Sequence, residues 1–351
     1  MSGRRRLFLA ALLCLGLGGG TAAAHDPQAL RKAYAGPVET WPAPWVPDGI
    51  AVKEMGPVPP PRHPHDNPGT PEKIELGRKL FEDPTLSLSG QFACADCHFR
   101  EIGFTDRLRR SFGHDRQIGR RNAISILNAG FYDLHFWDGG AETLERQALM
   151  AMTNPVEMAA DAAEIDARLK AGPYRDALRA VFGTPEGGGL EDALKALAAF
   201  VRAQTTRSRF DTFLNGRREV LTDQQLHGLH LFRTKGRCMT CHHGPLLTDG
   251  GFHNLGLHRF GEEDEDLGRY EVTGDPADRG AFRTPTLRGV AATGPWMHTG
   301  RFRDLRVVVA FYNAGGLKSS RPGAPPLSPL LQPLNLTPEE MDALRAFLEV
   351  L

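Results

Sequence analysis

Cys94-Ala95-Asp96-Cys97-His98 and Cys238-Met239-Thr240-Cys241-His242 are the two stretches on which the reading of this chain turns. Each holds two cysteines separated by two residues, with a histidine directly after the second. The chain has five cysteines, and the fifth, Cys14, lies in an apolar leader, so the two motifs use every cysteine of the mature protein. Four cysteines in an exported chain suggest two disulfides, and zinc or a thiol redox pair would also suit the spacing. The histidine, present twice, favours haem attachment instead. Two thioethers would fix the porphyrin edge, and the adjacent imidazole would reach the iron as its proximal ligand. Two covalently bound c-type haems are therefore expected, on Cys94, Cys97 and His98, and on Cys238, Cys241 and His242.

Outward from the first motif, the beginning of the chain reads as an export signal. Arg4 to Arg6 form a basic start, Leu7 to Leu17 an apolar run, and Thr21-Ala22-Ala23-Ala24 a small-residue cleavage site. The run is too short for a membrane span and breaks at Gly18-Gly19-Gly20. Residues 1–24 are thus a signal peptide, and a periplasmic protein without a membrane anchor is expected. The 42 basic and 42 acidic side chains cancel, which gives no reason to expect a nucleic-acid or anionic-membrane partner. Residues 25–69 are rich in proline, with the run Pro59-Pro60-Pro61, and read as an extended arm, packed on the surface or mobile. Its His25, His63 and His65 read as solvated rather than as a copper site.

A helix is predicted from Thr70, where Pro71 and Glu72 open a pattern continuing through Ile74, Leu76, Leu80 and Phe81. Its Gly77-x-x-Leu80-Phe81 precedes the first motif as Gly228-x-x-Leu231-Phe232 precedes the second. Further helices are expected over residues 143–152, 160–170, 190–205 and 305–311, and after Thr337-Pro338-Glu339-Glu340. The fold class is mainly α. The weak repeat suggests two cytochrome c-like haem domains with long loops, residues 70–217 and 218–351.

Four further stretches carry a family resemblance: Phe136-Trp137-Asp138-Gly139, Asn154-Pro155-Val156-Glu157-Met158, Thr284-Pro285-Thr286-Leu287-Arg288 and Thr293-Gly294-Pro295-Trp296-Met297-His298-Thr299-Gly300. In this order they resemble the di-haem cytochrome c peroxidases and their MauG-type relatives over roughly residues 70 to 350. The resemblance implies that Glu157 stands over the open face of the first haem as general acid and base toward hydrogen peroxide. It implies that Gln147 assists there through its amide, and that Trp137 relays electrons between the haems. It also implies a calcium ion held by Asn122, Thr293 and Pro295, whose oxygens suit that hard cation. Taken alone, the same residues read as a loop carboxylate, an exposed helix amide, a core aromatic and turn residues.

The sixth ligand of the second haem separates the members of such a family. Peroxidases use a soft Met there; the matching position here is Tyr312, which resembles the MauG-type substitution, with Met297 as the competing ligand. A phenolate favours ferric and higher states. His114, in Ser111-Phe112-Gly113-His114, is a candidate resting ligand of the first iron or simply a loop histidine. The resemblance implies a MauG/MbnH-like enzyme in which peroxide raises the haem pair to a high-valent state that oxidises a Trp of a partner protein. MauG carries a surface Trp shortly before its second haem motif. Thr234-Lys235-Gly236-Arg237 offers no aromatic there, which favours an MbnP-like partner over methylamine dehydrogenase, with Trp296 as another exit. The competing readings are a peroxidase fed by a small cytochrome c or cupredoxin, and a non-enzymatic di-haem electron carrier.

Overall fold

Each haem motif follows a helix that begins for a local chemical reason. The computed structural model describes residues 26–185 and 187–351, so the predicted signal peptide, Cys14 and His25 lie outside the described residues. Helix α2 (Pro71–Phe81) starts where the Thr70 hydroxyl accepts from the Lys73 amide at 3.3 Å and Pro71 supplies a preset first turn. Helix α8 (Asp223–Arg233) starts with a reciprocal box between Thr222 and Gln225, at 3.0 and 3.2 Å. Before them stands α1 (Pro27–Ala33), and between them lie α3 (Leu144–Thr153), α4 (Ala162–Ala171), α5 (Arg175–Phe182), α6 (Leu190–Ala203) and α7 (Arg209–Leu214). After α8 come α9 (Tyr270–Thr273), α10 (Leu305–Asn313) and α11 (Pro338–Leu348). The regular sheet among the described residues is one antiparallel pair, β1 (Phe252–Asn254) with β2 (Ala281–Arg283). The fold is mainly α, as expected.

The sequence repeat has a structural cause. Gly77 on α2 lies against α6 so closely that a Cβ would stand 2.0 Å from the Ala196 carbonyl oxygen. Gly228 on α8 meets α11 in the same way, 2.0 Å from the Ala343 carbonyl oxygen. Phe200 and Phe347 pack beside the two crossings. Each glycine lets two helix backbones touch, and Leu80-Phe81 or Leu231-Phe232 then fill the core on either side. One apolar cluster gathers Leu76, Leu80, Phe81, Phe104, Met152 and Phe200; the other gathers Phe210, Phe213, Leu231, Phe232, Phe347 and Leu348.

The arm is packed, and it packs on the second cluster, to which Tyr34, Trp41 and Met55 contribute. Fully buried Arg233 fastens it, donating to the Pro42 carbonyl at 2.8 Å and to Glu54 at 2.9 Å. Buried Arg288 adds a bond to the Gly56 carbonyl at 2.6 Å. Helix α1, absent from the sequence reading, forms because Asp26 caps it at 2.9 Å and Pro27 opens it, although Leu30 is its one buried residue. His63 is half-buried against Gly69 rather than solvated.

Candidate active site

The first motif forms a short turn, Cys94–Asp96, that presents His98 inward. The His98 Nδ1 is 3.1 Å from the Phe104 carbonyl, an arrangement that makes Nδ1 the donor and leaves Nε2 free to coordinate. Burial lowers its pKa, with the carbonyl working the other way, so the ring is the neutral form a metal needs. Burial pushes Cys94 up to about 12 and Cys97 up to about 11; for Cys97 the Ser111 hydroxyl works against burial.

Glu157 shares this site. Its charge acts on both thiols of the motif, and burial of the carboxyl raises its pKa to about 7, against a 2.8 Å hydrogen bond from the Asn154 amide. The residue as a whole is exposed. Its backbone carbonyl accepts from the His114 amide at 2.8 Å, and Gly113 lies too close to Val156 and Glu157 for any side chain. His114 therefore sits beside Glu157, with its Nδ1 buried and without a hydrogen-bond partner among the described residues. Gln147 is half-buried on α3; no contact ties its amide to Glu157 among the described residues.

The second motif opens onto a cavity of about 210 Å³ lined by Cys238, Cys241, His242, Tyr312, Met297 and Trp137. His242 repeats the arrangement of His98, with Nδ1 2.9 Å from the Leu247 carbonyl and a pKa lowered by burial. Tyr312 projects from α10 toward both thiols, and burial raises its phenol well above the usual range. Arg283 also lines the cavity, with Nη1 buried and unpartnered among the described residues, Nε 3.2 Å from the Phe136 carbonyl, and its guanidinium 3.9 Å over the Tyr132 ring. Two thiols, a free imidazole nitrogen, a phenol, apolar walls and one unmatched buried cation fit a haem with its carboxylates. Met297 lines the same cavity as Tyr312, so both candidate ligands are present.

Trp137 is buried, donates its indole N–H to the Asn122 carbonyl at 2.9 Å, and accepts at its own carbonyl from the Arg283 amide at 2.7 Å. Asn122, Thr293 and Pro295 all line the same cavity. The Asn122 amide group donates to the Leu108 carbonyl at 2.9 Å, which turns its oxygen toward other partners.

Three features escaped the sequence reading. Arg283 carries no motif of its own. His298 stacks on Phe282 at 3.5 Å and meets Trp137 edge-on at 6.3 Å, and burial lowers its pKa to about 3. Trp45, 41% exposed, lies under the Arg237 guanidinium at 4.3 Å, with its amide donating to the Arg233 carbonyl at 2.7 Å. An aromatic thus lies against Arg237 from the arm, nearly two hundred residues upstream, which no local spacing could reveal.

Residues 71–219 match the family described as di-haem cytochrome c peroxidase. The chain is 35% identical to the cytochrome-c peroxidase IdrP1 of Pseudomonas sp. (strain SCT), over 85% of each protein. It is 37% identical to the methylamine utilization protein MauG of Methylorubrum extorquens, over 82% of this chain and 80% of that one. The crystal structure of a MauG-like protein associated with microbial copper homeostasis superposes with a TM-score of 0.75 and 34% identity, covering 83% of this chain and 92% of that one. The diheme peroxidase BthA from Burkholderia thailandensis gives 0.70 at 26% identity, over 87% and 93%. With its two C-x-x-C-H motifs, two imidazoles each held through Nδ1 by a backbone carbonyl and mainly α fold, the chain belongs to the di-haem cytochrome c peroxidase and MauG family of haem-dependent oxidoreductases that use peroxide.

Proposed function

We propose that this protein is a periplasmic MauG/MbnH-like oxidase that uses hydrogen peroxide to oxidise a Trp of a partner protein. The observation that carries the reading is the inequality of the two sites. A carboxyl stands beside the first motif, whereas a phenol faces the second motif's thiols across a shared cavity. Haem bound at the two motifs would supply the redox chemistry, in which each hydrogen peroxide accepts two electrons and two protons and yields two waters. Cys94, Cys97 and His98 would hold the haem at which peroxide is reduced. Glu157 accepts a proton from peroxide and returns it to the departing oxygen, with Gln147 orienting the peroxide. Tyr312 closes the second site, held by Cys238, Cys241 and His242, and Trp137 joins the two. Asn122, Thr293 and Pro295 hold calcium at this junction.

The partner is a protein, since electrons exchanged through the matrix require no substrate pocket. Trp45 removes the sequence argument for an MbnP-like partner over methylamine dehydrogenase, because an aromatic does stand at the second motif. The likeness to a MauG-like protein supports a MauG-type reading, of which the MbnP-like partner is the finer form. No helix among the described residues is long and apolar enough to cross a membrane, in keeping with a periplasmic site of action.

The test is stoichiometric peroxide added to the diferric protein, followed by visible, near-infrared and Mössbauer spectra. Long-lived changes at both irons, with a new near-infrared band, are expected. Fast turnover with a reduced cytochrome and no such persistence would favour the peroxidase reading, and two irons inert to peroxide the carrier.

A further inference from the structure

The segment from Phe99 to Arg121 does more than enclose the first haem motif. It holds seven arginines against three acidic residues in a chain whose overall charge is zero. Four of the ten exposed large hydrophobic side chains among the described residues also lie here: Phe99, Leu108, Phe112 at 50% and Ile118 at 52%. A cluster of exposed large apolar side chains outside the core marks a contact surface more often than scattered single ones do.

Backbone pairing within the segment sets two of these side chains side by side. Phe112 and Ile118 face each other across an antiparallel bridge, with the Gly119 amide donating to the Ser111 carbonyl at 2.9 Å. Ser111 faces the Cys97 thiol, one residue from His98 and two from Phe99. Gly300 packs on the Arg109 backbone, which brings exposed Arg301 and Arg303 to the same region. Arg100, Arg107, Arg110, Arg116, Arg301 and Arg303 form no ion pair among the described residues. Their neighbours Arg120 and Arg121 are by contrast neutralised by Glu271, Asp266 and Asp138. The acidic residues of the segment, Glu101, Asp106 and Asp115, are fewer than these arginines, so the region around the apolar side chains is net positive.

We propose that this patch is the docking surface for a redox partner protein whose own contact face is apolar at the centre and rimmed by carboxylates. Arginines steer such a partner in and set its orientation, while the four apolar side chains exclude water at the contact. The partner then rests over the edge of the first haem motif, the edge that Cys97 and Ser111 define. This rests on the family's peroxide chemistry but not on the identity of the oxidised residue.

The probes are two small ferrous cytochromes c, one acidic and one basic. Stopped-flow spectroscopy reads their oxidation by the peroxide-treated protein, one electron from each cytochrome and two per peroxide. NMR titration of the resting protein reads binding without any turnover. The triple variant Arg107→Glu, Arg110→Glu, Arg116→Glu should slow the acidic cytochrome about tenfold or more at low salt and weaken its binding in parallel. That difference should vanish near 1 M salt, where the screening length is about 3 Å. The Arg→Gln triple should fall between, and the reaction with peroxide itself should be unchanged in both. Equal rates and equal binding for wild type and triple variant would overturn the proposal. So would arginine-dependent co-sedimentation with anionic phospholipid vesicles while both cytochromes are unaffected, which would make the patch a membrane contact. If Trp45→Ala alone slows the donors, docking belongs at the second motif instead. A resting protein inert to peroxide would refute the functional reading, while the NMR titration would still decide the docking site.

Discussion

The indole N–H of Trp137 donates to the backbone carbonyl of Asn122 across 2.9 Å, and the two residues line one cavity with the second haem motif. A buried indole held at both its ring nitrogen and its backbone has little freedom, which suits a fixed bridge between redox centres. Trp137→Phe keeps an aromatic ring but gives up the hydrogen bond and the easily oxidised indole. Haem content and the first haem's spectrum should be unchanged. The second haem's response to peroxide should slow at least about tenfold, equivalent to ~1.4 kcal/mol of barrier. Stopped-flow spectra at the two Soret components check this, and an unchanged second-haem response would exclude the relay.

Glu157 sets the expected pH dependence. Burial raises its carboxyl to about 7, and to act as a base toward peroxide it must be ionised. The rate of the peroxide reaction should therefore rise with pH through about 7 and level off above it. Glu157→Gln should remove that step and lower the plateau by about 10²–10⁴-fold. Stability runs the opposite way. A carboxyl whose folded pKa lies above its ordinary value of 4.5 favours the folded state most at low pH, and that contribution is lost as pH rises through about 7. A pH–rate profile of single-turnover peroxide reduction is decisive; a flat wild-type profile between pH 5 and 9 would show that another group carries the proton.

How much of this was legible beforehand depends on the distance over which each signal acts. The motifs at Cys94 and Cys238 and the caps at Thr70, Thr222 and Thr337 are local, and each reads directly from a few adjacent residues. Tyr312 was placed by counting along a helix, and α10 does carry it to the cavity. Arg283 and Trp45 were invisible because their roles come from chain segments that meet only in three dimensions. The arm was left open between packed and mobile, because what decides it is remote: Arg233 and Arg288, both buried and far along the chain, hold it down through its backbone carbonyls.

The paired glycines give a stability prediction with an internal control. Gly77→Ala and Gly228→Ala each force a methyl into a space where the nearest carbonyl oxygen is 2.0 Å away. The helices must separate, at a cost of about 1–3 kcal/mol for an overpacked contact. Because the two crossings lie in different apolar clusters, the damage should be local. Gly77→Ala should disturb the first haem's magnetic spectrum, and Gly228→Ala the second's, each with a lowered melting temperature. Identical spectral effects from both would mean that the halves do not behave as separate packing units.

Tyr312 and Met297 line one cavity, and a ligand exchange distinguishes them. The Tyr312 phenol resists ionisation in this buried setting, so binding as phenolate requires the ferric charge nearby to offset desolvation. That coupling makes an anionic ligand stabilise ferric over ferrous iron, whereas a thioether does the reverse. Tyr312→Met should therefore raise the second haem's reduction potential and shorten the persistence of the peroxide-oxidised protein. Met297→Leu, similar in volume, should leave both unchanged. Spectroelectrochemistry with electron paramagnetic resonance reads each haem separately. If Met297→Leu shifts the potential and Tyr312→Met does not, the thioether is the ligand, and the second haem resembles that of a peroxidase fed by an electron donor.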